Sequence, residues 1–253
     1  MTDLTGHHAV ITGGGTGIGA AIARTLHASG ARVTLLGRRL EPLQEVAATL
    51  PGATAICIDV TDEASVEAAM AEARAIAPVT ILINNAGGVE TAPVAKTSMA
   101  LWQQMIAVNL TGAFLCTRAV LKEVSQAANG RIIMIASTSG LKGYAYTGAY
   151  AAAKHGVIGL TRTLALELAS TGATSNAICP GFADTELVQR SLAAVTAKTG
   201  KLAEDVLAQF VRDNPQKRLI RPEEVAATAL WLCDPLSGSV NGQSIAVAGG
   251  EVM

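Results

Sequence analysis

The sequence predicts an α/β fold: one doubly wound, seven-stranded parallel sheet with helices on both faces. Three observations predict it. Short apolar runs alternate with longer Ala-rich stretches of helical spacing along the whole chain. Several of those runs are apolar on both faces, as strands buried inside a parallel sheet must be. A glycine-rich turn also follows the first run and opens the first helical stretch. With 253 residues the chain is long enough for one such domain with a substantial core.

The elements follow in order. HAVIT (8–12) reads as the first strand, and TGGGTGIG (Thr12 to Gly19) as the turn into a helix near 18–29. In that turn Gly13, Gly17 and Gly19 allow a sharp bend, close approach of backbone N–H groups to a pyrophosphate, and tight packing of helix on strand. Thr16 and Ile18 lie between them, and the helix N-terminus favours an anion. RVTLLG (32–37) and TAICIDV (54–60) are the next strands, each followed by a helical pattern, near 40–50 and 62–76. Asp59 in DVTDEA also reads as a helix start. TILIN (80–84) precedes a long apolar helical pattern at 99–127, and RIIMIAS (131–137) precedes another at 149–171. TSNAICP (174–180) leads into residues 184–218, which hold no strand candidate. An insertion on that edge of the sheet suits a lid over a substrate or a pair of surface helices. A helix near 222–233 and a last strand, QSIAVAG (243–249), complete the single domain.

Composition excludes several classes. Net charge is −1, so nothing marks a nucleic-acid or anionic-membrane surface. No apolar run approaches the ~18 residues of a membrane span, and no signal peptide is visible. The four cysteines are scattered and suit reduced thiols in a cytoplasmic protein. The four histidines form no metal-ligand pattern, so no metal is expected.

The chemistry concentrates in three side chains. Tyr150 and Lys154 stand four apart and so share one face of a helix. Ser137 ends a strand, where open α/β sheets place their ligands. A phenol of pKa near 10 transfers protons poorly at neutral pH, and a nearby ammonium would lower that value. Such a trio suits proton transfer to or from a carbonyl or alcohol oxygen.

Together these motifs resemble the classical short-chain dehydrogenase/reductase family, with a Rossmann-type fold, over essentially the whole chain. TGGGTGIG is similar to its cofactor loop, NNAG (84–87) to its fourth-strand signature, Asn109 in NLTG to its catalytic Asn, and Ser137, Tyr150 and Lys154 to its Ser-Tyr-Lys set. CPG (179–181) and Thr185 match the segment that cradles nicotinamide. IASTSG…GAYAAAKHGVIGLTR…CPGF is similar, more narrowly, to bacterial β-ketoacyl and polyketide ketoreductases. The resemblance implies that Tyr150 is the general acid in reduction and the base in oxidation, that Ser137 orients the substrate oxygen, and that Lys154 lowers the Tyr pKa and binds the nicotinamide ribose. Asn109 would hold a water in a proton relay. Asp59, Val60, Asn85, Ala86 and Gly87 would line the cofactor site, with Pro180, Gly181 and Thr185 at its nicotinamide end. Ala153 and Ala248 stand where the family often has Ser and Asp.

An acid at the end of the second strand would bind the ribose 2′-OH of NAD(H) and repel a 2′-phosphate. Gly37 stands there, followed by Arg38 and Arg39, which suits the 2′-phosphate of NADP(H). The expected function is therefore NADPH-dependent reduction of a ketone or 3-oxoacyl group to a secondary alcohol. The alternatives are an NAD-dependent secondary-alcohol or 3-hydroxyacyl-CoA dehydrogenase, a sugar-nucleotide epimerase, and a nucleotide-sensing regulator without turnover. The substrate is expected to be a small carbonyl compound or alcohol, with Leu141, Tyr144, Phe182 and Leu187 as pocket candidates and Arg190, Lys198 and Lys201 in the lid. Segments 101–121 and 149–168 are apolar around much of their circumference, more than one sheet face requires; the resemblance implies pairing there and a homotetramer.

Overall fold

The computed structural model describes residues 2–253, the side chains of Leu187, Ala194 and Lys198 excepted. The pocket candidate Leu187 and the lid candidate Lys198 thus lie outside the described side chains. The chain builds β1 (His8–Thr12), α1 (Gly17–Ala28), β2 (Arg32–Gly37), α2 (Leu40–Ala48), β3 (Thr54–Cys57), α3 (Glu63–Ile76), β4 (Ile81–Asn84), α4 (Met99–Ile106), α5 (Gly112–Gln126), β5 (Arg131–Ile135), α6 (Gly148–Leu168), β6 (Thr174–Pro180), α7 (Glu186–Thr199), α8 (Ala203–Phe210), α9 (Pro222–Cys233) and β7 (Ser244–Val247). The sheet is parallel throughout, in the order β3-β2-β1-β4-β5-β6-β7. The order reverses between β1 and β4, and such a switch point opens a crevice at the carboxyl ends of the strands.

Alternation along the strands divides the core. Ile11 and Leu35 face α1, α2 and α9, with Ile22, Leu26, Leu43, Val46, Val225 and Leu232. Val10 and Leu36 face α3, α5 and α6, with Val66, Met70, Leu115, Val120, Val157 and Leu164. Burial on both faces explains strands without polar alternation.

Four strands are shorter than expected, β4 by Thr80 alone and the other three for local reasons. After Cys57 the Ile58 N–H still donates to the Gly37 carbonyl (3.1 Å), but the Asp59 N–H turns to Ser65 Oγ (2.9 Å), which ends the ladder. β5 stops at Ile135 because Ser137 starts a 3₁₀ turn, Thr138–Gly140. β7 stops at Val247 ahead of Gly249 and Gly250, both at positive φ.

The helix expected over 99–127 is interrupted. Residues Ala107–Thr111 form one π turn between α4 and α5, with Asn109 inside it. By length and composition alone the continuous rod Met99–Gln126 would pass as a membrane span. Leu115, Cys116, Val120 and Val124 on one side of it belong to the core between sheet and helices. The expected lid region is a helix pair, α7 and α8, and a parallel bridge between Ala183 and Ile220 joins the segments on either side of it.

Candidate active site

The glycine turn sits at the switch point. Gly13 has φ +65, and a Cβ at Gly19 would overlap the Gly13 carbonyl oxygen and come within 2.5 Å of Asn85 Nδ2. Asn85 is the reason the turn holds its shape: Nδ2 donates to the carbonyls of Thr12 and Gly13, each at 3.0 Å. The Thr12 hydroxyl in turn accepts from the N–H groups of Asn85 (3.0 Å) and Ala86 (2.9 Å). Asn85, expected on the cofactor wall, therefore stands behind it; its amide is spent bracing the turn. Thr16 precedes α1 without a side-chain cap, and the first turn holds no acid. The α1 N-terminus thus keeps free N–H groups and an uncompensated dipole for an anion.

A cavity of about 840 Å³ opens there, lined by Gly13, Thr16, Arg38, Asp59, Val60, Ala86 and Gly87 among the expected residues. Gly37, Arg39, Gly88, Gln104 and Met105 add to its wall. Gly17 and Ile18 lie off this wall: Ile18 packs on the core, and Gly17 faces the Thr185 side chain, 3.0 Å from where its Cβ would stand. Thr185 itself caps α7, accepting from the Val188 N–H (3.4 Å). Asp59 accepts from the Thr61 N–H (2.9 Å) and hydroxyl (2.7 Å), which holds its pKa below the usual value. Asp62, not Asp59, caps α3. Glycine turn, open helix end and cavity together fit a dinucleotide.

At the next strand ends the trio converges. Ser137 Oγ accepts from the Ser139 N–H (3.1 Å), which orients the hydroxyl and leaves its proton to donate. The 3₁₀ turn packs flat on α6: a Cβ at Gly140 would come within 2.9 Å of the Lys154 carbonyl oxygen. That close approach brings Ser137 to the face carrying Tyr150 and Lys154. The buried Lys154 Nζ donates to the Ile135 carbonyl (2.8 Å) and lies 5.6 Å from the Tyr150 ring centroid. Asn109 closes the back of the site: its Nδ2 donates to the carbonyls of Gly88 (2.9 Å) and Met105 (3.1 Å), and Oδ1 accepts from the Gly88 N–H (3.2 Å). Where a Cβ of Gly87 would stand, Asn109 Oδ1 is 2.6 Å away and Lys154 Nζ 3.7 Å. The structure thus brings Gly87, Asn109 and Lys154 into one place.

The electrostatics correct one expectation. Burial pushes the Tyr150 phenol above its ordinary pKa, and the Ser137 hydroxyl pulls it part of the way back. The ammonium stands over the ring and is engaged by Ile135. Burial pulls Lys154 itself down to about 8. At neutral pH the site holds a protonated phenol beside a cation.

Of the pocket candidates, Leu141 and Phe182 are exposed, and Phe182 meets Phe210 edge-on at 5.0 Å between ring centroids. Tyr144 is not an apolar wall: its hydroxyl donates to Glu251. Glu251, Lys142 and Gly140 are the site neighbours that sequence reasoning missed. Arg190, in α7, pairs with Glu186 at 2.5 Å.

The short chain dehydrogenase family model matches residues 7–196. A protein provisionally named ketoacyl reductase 1 of the granaticin polyketide synthase, from Streptomyces violaceoruber, is 39% identical over 96% of this chain and 92% of its own. Galactitol 2-dehydrogenase (L-tagatose-forming) of Cereibacter sphaeroides is 38% identical over 98% of this chain and 95% of its own. The crystal structure of a Phe-to-Trp variant of actinorhodin polyketide ketoreductase with NADPH superposes with a TM-score of 0.92 at 34% identity, covering 99% of both chains. Motifs, fold and relatives agree over nearly the full length: the chain belongs to the short chain dehydrogenase family.

Proposed function

We propose that the protein reduces a ketone or 3-oxoacyl group to a secondary alcohol with NADPH. The observation that carries this reading is the convergence of Ser137, Tyr150 and Lys154 next to Gly87, on the wall of the cavity at the glycine turn. Bound nicotinamide supplies the hydride. Ser137, its oxygen already accepting from Ser139, donates to the carbonyl oxygen and fixes its position. Tyr150 gives its proton to that oxygen as negative charge develops. Lys154, held by Ile135, places a positive charge behind the ring and binds the ribose. Asn109, in the π turn, anchors the water through which the site is reprotonated. The helix pair α7–α8 covers the substrate.

Arg38 and Arg39 line the cavity beside Gly37, with no acid at the end of β2. A charge-assisted, bidentate contact to a 2′-phosphate contributes about 1.5–3 kcal/mol, so Arg38→Ala lowers kcat/KM for NADPH by roughly ten- to a hundredfold and leaves NADH little changed. Steady-state kinetics with both nucleotides checks this. Equal values for the two in the unaltered protein would sink the NADP(H) assignment. The reaction itself is tested by NADPH oxidation across a panel of β-ketoacyl thioesters and simple aryl and alkyl ketones, with product chirality recorded; no turnover of any member would overturn it.

The chain is proposed to work as a homotetramer. Trp102 and Phe114 on the α4–α5 rod and Leu166 on α6 are exposed, the last by 80%. Their burial between subunits would remove apolar surface from water. Light scattering at micromolar concentration should give four times the chain mass; a monomer would contradict the assembly.

A further inference from the structure

Beside the carbonyl site stands a carboxylate that the proposed mechanism does not use. Gly249 and Gly250 turn the chain back after β7, and the Glu251 N–H donates to the Ala248 carbonyl (3.1 Å). The Glu251 side chain is only 4% exposed. Its Oε1 accepts from the Tyr144 hydroxyl, and Lys142 Nζ lies 3.4 Å away. Its Oε2 lies against Gly181, 3.2 Å from where a Cβ there would stand, and no hydrogen bond to it is made by the described residues. Lys142 and Tyr144 belong to the loop between Ser137 and Tyr150, and Gly181 follows β6. Glu251 therefore bridges the two segments that flank the carbonyl.

A buried carboxylate is costly unless its oxygens find donors. Among the described residues only one of its oxygens does. Tyr144 is pushed above its ordinary pKa by burial and by Glu251, so it stays a neutral donor. Lys142 is one-third exposed, and water screens part of its charge. The remaining negative potential and the free acceptor both lie on the Gly181 side.

We propose that Glu251 is a specificity-determining residue: it selects neutral carbonyl compounds bearing a hydroxyl that can donate to Oε2, and it rejects those bearing a carboxylate. The inference rests on the reductase reading above. A hydroxyl satisfies the acceptor, whereas a second carboxylate meets like charge in a low-dielectric corner.

The test uses the full chain and kcat/KM for cyclohexanone, 3- and 4-hydroxycyclohexanone, and 3- and 4-oxocyclohexanecarboxylate, with melting curves to verify folding. The unaltered protein should prefer a hydroxyketone over cyclohexanone, and cyclohexanone over both keto acids. Glu251→Gln should raise the ratio of keto acid to cyclohexanone by roughly tenfold or more. Lys142→Met should lower that ratio, because the carboxylate loses its counter-charge. A mere strut would respond alike to both changes. Ratios that stay put, or that move in the same direction in both variants, overturn the inference while cyclohexanone turnover upholds the reductase reading. If no ketone in the series or in the wider panel is reduced, the reductase reading falls and takes the inference with it.

Discussion

Tyr150→Phe loses two or more orders of magnitude in carbonyl reduction while nucleotide binding survives. The ring is retained, so the contact with Lys154 and the packing of α6 persist. What disappears is the proton that burial keeps on the phenol, beside the place of the substrate oxygen. General acid catalysis of this kind contributes roughly 10²–10⁴-fold. The measurement is kcat from NADPH oxidation together with the nucleotide dissociation constant from protein fluorescence. Near-normal turnover would mean that another group delivers the proton and would overturn the role of Tyr150.

The same site predicts a pH profile with a definite sign. Lys154 titrates near 8, while Tyr150 stays protonated above its ordinary value. As pH rises through about 8 the cation is lost first, and the reduction rate should fall there although the phenol still carries its proton. A rate that is flat to pH 10 would show that the charge on Lys154 plays no part. The window follows from burial, which disfavours the ammonium and the phenolate alike.

Much of this is legible in the chain because local chemistry and global topology agree. β1, β2 and β6 run over the residues their apolar runs mark, and the glycine turn lies between β1 and α1. The illegible parts depend on partners distant in sequence. Nothing near Asn109 announces a π turn in an otherwise regular apolar helix; Gly88, twenty-one residues away, receives its side chain. Asn85 looks like a wall residue until its amide is seen bracing the turn more than seventy residues earlier. Glu251 lies 107 residues from Tyr144 and follows a plain VAGG, so no local pattern marks it. The direction of the Tyr150 shift is hidden too, because helical spacing gives the nearness of Lys154 but not its burial or its bond to Ile135.

Gly19→Ala should damage the cofactor site more than its single methyl group suggests. The new Cβ would overlap the Gly13 carbonyl oxygen and press on Asn85 Nδ2, and neither can yield freely. Gly13 is fixed at φ +65, and the Asn85 amide is held by two carbonyls at 3.0 Å. The strand-to-helix turn must therefore open, which separates the N–H groups at the start of α1 from the anion they are aimed at. Overpacking of this kind costs about 1–3 kcal/mol. For a domain of this size that lowers Tm by roughly 2–12 °C, at about 2–4 °C per kcal/mol. Nucleotide affinity should fall more than tenfold, since distortion and lost contacts act on the same turn. Gly143→Ala is the comparison: no atom lies within 4 Å of its Cβ position, and its φ is ordinary. That variant should bind nucleotide as the parent does. Calorimetric titration of both variants with NADPH, beside their melting curves, separates the outcomes. Undiminished affinity in Gly19→Ala would show that the turn is not where the pyrophosphate rests.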